Sequence, residues 1–158
     1  MYERVLLAYD GSREGRAALR EGAILARRFK SKLHLLCVVA ETPGVRIGEA
    51  TYAGAMAQTS NTYKALFDEA MSRLQELGFD PSGKLVSGEP TQEIAAYAAA
   101  INADLLVVGH RKQSLFERWW SGQTGAYLID HVGCSLLIAR RTISDEAFYR
   151  ELELASAS

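Results

Sequence analysis

Four short apolar runs constrain this chain most: Val5 to Tyr9, Leu33 to Ala40, Leu105 to Val108 and Leu136 to Ala139. A weaker run, Lys84-Leu85-Val86, lies between the second and third. Each is near-continuous rather than alternating, as strands covered on both faces are. Helical periodicity fills the gaps. Ala18, Gly22, Leu25, Ala26 and Phe29 share one helical face, and Tyr63, Leu66, Phe67, Ala70, Met71, Leu74 and Leu77 form a longer stripe. Thr91 is placed to cap a third helix running to about Ile101, Gly78 to close the second, and Gly122 to Val132 reads as a fourth. The order is β-α-β-α-β-α-β-α-β, which calls for a parallel sheet with right-handed crossovers and helices on both faces.

Size and composition narrow the class further. A chain of 158 residues and 17.3 kDa holds one α/β domain. With 48% hydrophobic and 23% charged residues, a packed core is expected. Lys+Arg 18 against Asp+Glu 19 argues against a dedicated polyanion binder, so no nucleic acid is expected as partner. The longest uncharged apolar stretch apart from the strands, Ile94 to Ala103, falls far short of the ~20 residues of a membrane span. The N-terminus runs from Met-Tyr-Glu-Arg directly into Val5, with no basic leader or cleavage site, which favours the cytoplasm. Cys37 and Cys134 sit inside or beside apolar runs and read as buried small hydrophobes, not as a disulfide framework.

Two segments stand outside the alternation. Glu41 to Gln58 lacks clear periodicity and reads as a lid, a loop or an irregular helix entry. Thr142 to Ser158 follows the last strand, and Ser144 to Leu154 reads as a short helix with Ala147, Phe148 and Leu152 as its apolar stripe.

In an open α/β sheet, ligands bind at the carboxyl ends of the strands where the strand order reverses. Two turns matter there. One is Ala8-Tyr9-Asp10-Gly11-Ser12, with Ser12 placed to cap the next helix. The other is Gly109-His110-Arg111-Lys112, continuing to Ser121-Gly122-Gln123-Thr124-Gly125. Glycine lets backbone N–H groups approach an anion, a helix N-terminus adds donors, and His110, Arg111, Lys112 and Arg118 add positive charge. A plainer alternative stands beside this one: Asp10 and Ser12 organise a βα turn, and the basic cluster is a solvated loop. His34, His110 and His131 have no metal-ligand spacing. The chain lacks a G-x-x-x-x-G-K-[ST] phosphate loop, a G-x-G-x-x-G after the first strand and a G-x-S-x-G elbow. It offers no convincing acid–base pair for catalysis.

Three pieces in order resemble the universal stress protein family: Val5 to Ser12, Leu105 to Gly109, and His131-Val132-Gly133-Cys134-Ser135-Leu136-Leu137-Ile138-Ala139. The resemblance covers residues 1–141 and leaves 142–158 as a C-terminal tail. It implies a single Rossmann-like domain with a five-stranded parallel sheet in order 3-2-1-4-5, and homodimers made by antiparallel pairing of the last strands, here Ser135 to Ala139. Some members bind ATP through a G-x-x-G-x9-G-[ST] loop. The corresponding residues are Gly109-His110-Arg111-Lys112, nine residues, then Gly122-Gln123. The spacing is intact, but Lys112 replaces the second glycine and Gln123 the hydroxyl residue, with Thr124 following. On this resemblance the nucleotide-binding candidates are Ala8, Tyr9, Asp10, Val38, Val108, Gly109, Arg111, Lys112, Gly122, Gln123 and Thr124. Tyr9 is bulkier than the small residue the family implies there.

The expectation is a cytoplasmic, homodimeric stress-response protein that binds and signals without dedicated catalysis, with an unidentified protein partner and a degenerate nucleotide loop. The alternative is a switch that binds ATP or a related adenine nucleotide.

Overall fold

The computed structural model describes residues 1–40, 49–110 and 128–157. Its strands are β1 (Arg4–Ala8), β2 (Lys32–Ala40), β3 (Ser82–Gly88), β4 (Leu105–Gly109) and β5 (Ser135–Ala139), all parallel, in the order β3-β2-β1-β4-β5. Register aligns Ala8 with Leu36 on one side and with Val108 on the other. The continuous apolar runs are explained by burial from both sides: Val5 to Ala8 and Leu105 to Val108 are almost wholly removed from water. Alternate residues serve different cores. Val5, Leu7, Leu35 and Val107 join one cluster; Leu6, Leu36, Leu106 and Val108 join the other.

Helices α1 (Arg13–Phe29), α2 (Glu49–Glu76) and α4 (Asp145–Ser156) cover the first face, and α3 (Pro90–Ala100) covers the second together with helical residues 128–131. The predicted fourth helix, Gly122 to Val132, otherwise lies outside the described residues. The α2 stripe packs as predicted, with Ala70 and Leu74 at its centre. Gly78, at φ 81°, closes α2: its N–H donates to the Gln75 carbonyl (2.8 Å) and Phe79 N–H to that of Leu74 (3.1 Å).

Three local expectations change. The α1 stripe is rotated, so Gly15, Ala18, Leu19, Gly22, Ala23 and Ala26 are buried while Phe29 stays 38% exposed, edge-on to Tyr2. Small residues bring α1 close to the sheet, and Leu7 lies against Gly22. Thr91 does not cap α3. Pro90 occupies the first helical position, needing no N–H partner, so the cap falls to Glu89, whose carboxylate accepts from Gln92 N–H (2.8 Å) and Thr91 Oγ (2.5 Å). Residues 49–58 are helical, so α2 begins well before the apolar stripe that reveals it. Residues 41–48 lie outside the described set.

The tail forms α4. Ser144 caps it by accepting from Ala147 N–H (3.2 Å), and Phe148, Leu152 and Ala155 are buried on the α1 side. Ion pairs Arg20–Asp145 and Arg28–Glu151 join it to α1, and Arg73 of α2 donates to the Tyr149 hydroxyl. No helix among the described residues is long and apolar enough to cross a membrane.

Candidate functional site

The strand order reverses between β1 and β4, so the crevice opens where Ala8 and Val108 end side by side. Ala8, Val38 and Val108 all belong to the core on the α3 face, so the strand ends there are apolar. Val38 lies on β2, two residues beyond Leu36, the register partner of Ala8. It is half-buried.

Asp10 stands at the head of the β1–α1 turn. Its Oδ1 accepts from Ser12 N–H (2.9 Å) and Ser12 Oγ (2.5 Å), while Ser12 Oγ accepts from Gly15 N–H (2.9 Å). The turn-organising role is therefore real. It occupies one carboxylate oxygen; the other makes no hydrogen bond among the described residues, which leaves an uncommitted acceptor beside the strand end.

On the β4 side, Gly109 is set by contact. A Cβ there would lie 2.5 Å from the Glu14 carbonyl oxygen and 2.9 Å from Gly15 N, so only glycine lets the strand end reach the first turn of α1. The next residue, His110, donates its N–H to the Ala139 carbonyl (3.1 Å), holding the β4 and β5 ends together. His110 also lines a cleft of about 410 Å³ with Arg13, Glu14, Arg140 and Thr142. The cations Arg13 and Arg140 were not legible as neighbours of His110, because they come from α1 and the segment after β5. Arg111, Lys112, Gly122, Gln123 and Thr124, the loop half of the candidate set, lie outside the described residues, as does Arg118.

Tyr9 departs from the sequence picture in a specific way. Its N–H donates to the Leu36 carbonyl (2.9 Å), continuing the β1–β2 ladder, and its side chain packs into the α1–α2 core. The bulky ring is thus on the sheet face opposite Ala8, Val38 and Val108. Only its backbone borders the crevice.

Among the described residues no group of three or more His, Cys, Asp or Glu is placed to hold a metal ion. Cys37 is buried, and desolvation pushes its thiol up to about 12. Cys134 is half-buried, and its thiol is also raised by burial.

Comparison with known proteins gives one consistent result. The model of the universal stress protein family matches residues 1–140. Universal stress protein Sll1388 of Synechocystis is 26% identical over 151 residues, covering 88% of this chain and 98% of its own. Among solved structures, universal stress protein UspA from Lactobacillus plantarum superposes with a TM-score of 0.71 at 24% identity, covering 88% of this chain and 98% of that one. A universal stress protein family protein from Arabidopsis thaliana, solved with AMP bound, gives a TM-score of 0.63 at 17% identity, covering 91% and 94%. A universal stress protein solved in complex with cAMP gives 0.60 at 22% identity, covering 88% and 97%.

Proposed function

The chain belongs to the universal stress protein family, and from that premise we propose that it is a cytoplasmic, non-catalytic stress-response protein that works by binding and signalling. Its crevice takes the adenosine part of an adenine nucleotide and holds the phosphates weakly. This reading is supported by the apolar strand ends Ala8, Val38 and Val108, which would serve as a floor, and by an Asp10 carboxylate with one oxygen unbonded among the described residues. A flat base stacks on such a floor, and a ribose hydroxyl donates to such an oxygen. The bound AMP and cAMP of two structural neighbours point to the same ligand class. Lys112 and Gln123 stand where the family's ATP-binding loop has glycine and a hydroxyl residue, which weakens the phosphate end. No nucleophile–base pair stands at the crevice among the described residues.

We further propose a homodimer through β5. This strand is a sheet edge, and Leu136, Leu137 and Ile138 are half-exposed on it. Exposed Ile129 lies a few residues before it. Unpaired edge groups flanked by apolar side chains invite a second copy, paired about a two-fold axis.

Asp10→Asn tests the crevice. The amide oxygen still serves Ser12, but the free acceptor becomes an N–H donor. Calorimetry should show AMP affinity falling about ten-fold, the loss of one hydrogen bond to a charged group, with the melting temperature unchanged. Unaltered affinity would remove Asp10 from the site. A second reading, the ATP-dependent switch, is favoured by the intact nine-residue spacing between Lys112 and Gly122.

A further inference from the structure

On the sheet face away from the crevice, α1, α2 and α4 enclose a second cleft of about 370 Å³, within the roughly 300–1,000 Å³ of small-molecule sites. Its wall is apolar where Leu19, Ala70, Leu77 and Phe148 meet. Phe148 belongs to α4, beyond residue 140 where the family match ends. The phenol of Tyr9, only 7% exposed, also lines it. Burial pushes this phenol above its ordinary value, with Arg16 opposing and Glu69 adding, so the hydroxyl is a donor throughout the neutral range.

The charged groups around this cleft divide by commitment. Arg20 is paired with Asp145 and also bonds the Ile143 carbonyl. Arg73 is held by Glu76 and the Tyr149 hydroxyl. Arg16, exposed at the rim, makes one side-chain bond among the described residues, from Nη1 to the Gly11 carbonyl (3.1 Å), which leaves most of its five donors to solvent. Glu69 makes no ion pair among the described residues. One uncommitted cation and one uncommitted anion therefore flank a phenol donor above an apolar wall.

We propose that this cleft binds a zwitterionic, amino-acid-like small molecule with an apolar side chain. Its carboxylate meets Arg16 and the Tyr9 hydroxyl, its ammonium meets Glu69, and its side chain lies against Leu19, Ala70, Leu77 and Phe148. A purely anionic ligand would face Glu69 without a counter-charge of its own, and a plain hydrophobe would use neither of the two rim charges. The site is independent of the nucleotide crevice, because the sheet separates them, and so it stands or falls apart from that reading.

The test is a titration of the full chain, followed by NMR, with L-phenylalanine, L-leucine, L-methionine and L-tryptophan as probes. At least one should bind saturably at a single site, with a Kd of about 1 mM or tighter. Its N-acetyl derivative, lacking the ammonium, and its amide, lacking the carboxylate, should each bind about ten-fold more weakly. Ser72→Trp, at an exposed rim position, should abolish binding by filling the cleft. Glu69→Gln, an exposed substitution that spares the core, should weaken it about ten-fold. ATP should not displace the bound probe. Saturable binding by none of the four, derivatives that bind as tightly as the parent amino acid, affinity unchanged in both variants, or displacement by ATP each overturns the proposal.

Discussion

Lys30 follows α1 in a left-handed conformation at φ 55°, where its N–H donates to the Arg27 carbonyl and Ser31 N–H to that of Ala26. Asn102 plays the same part after α3 at φ 49°. Gly78, Asn102 and Lys30 thus close three helices by one hydrogen-bonding pattern, in falling order of suitability for a positive φ. Lys30→Gly should therefore raise stability by up to about 1 kcal/mol, read as a shift of the urea midpoint at unchanged slope; a loss of stability would contradict the strain. His34 makes a second prediction at this scale. Neither ring nitrogen has a hydrogen-bond partner among the described residues, and burial, aided by Lys32 and Arg4, lowers its pKa. The unfolded chain then binds the proton more readily than the folded one. His34 should cost stability as pH falls through about 6.5, the unfolded value. Wild type should lose more melting temperature between pH 7.5 and 5.5 than His34→Phe does; equal losses would clear His34. Single residues were also where sequence reading was weakest. Tyr9 is bulky, but its side chain's face is decided by strand parity, which a set of candidates carried over from a family resemblance overlooks.

Among the elements, β5 carries the sharpest prediction. Ser135 N–H bonds the Asp104 carbonyl and the Ala139 carbonyl accepts from His110, so residues 135, 137 and 139 turn their backbone groups toward β4. Leu136 and Ile138 therefore turn theirs outward. Leu136→Pro deletes an outward N–H while leaving the β4 ladder intact. Light scattering at tens of micromolar protein should show a dimer for wild type and a monomer for Leu136→Pro; two monomers or two dimers would contradict pairing through this edge. The strands were legible because a strand buried on both faces must be a short apolar run. The start of α3 was misread because proline took the place that a threonine cap would have initiated, shifting the cap to Glu89. The first turns of α2 were illegible for another reason: residues 49–58 show no apolar period of the kind that betrays the rest of that helix.

At the scale of the whole molecule, the alternation of apolar runs and helical stripes required a parallel sheet, and the family resemblance supplied the order β3-β2-β1-β4-β5 that the structure shows. The crevice follows from that order, since its floor and its acidic residue lie at the strand ends where the order reverses. What spacing alone did not reveal is the opposite face, where the tail helix joins α1 and α2 to make the second cleft. The central claim is that the crevice accepts the adenosine end of a nucleotide while Lys112 and Gln123 spoil the phosphate end. Calorimetry with AMP and ATP, on wild type and on Lys112→Gly with Gln123→Ser, tests it most directly. The glycine removes a Cβ and permits positive φ, and the serine adds a donor worth about 1.5–3 kcal/mol to a charged phosphate. Wild type should bind the two nucleotides within about ten-fold of each other, and the double variant should bind ATP at least about ten-fold more tightly than wild type does. Tighter ATP binding by wild type than by the double variant would make Lys112 a phosphate ligand, and no binding of either nucleotide by either protein would contradict the crevice itself.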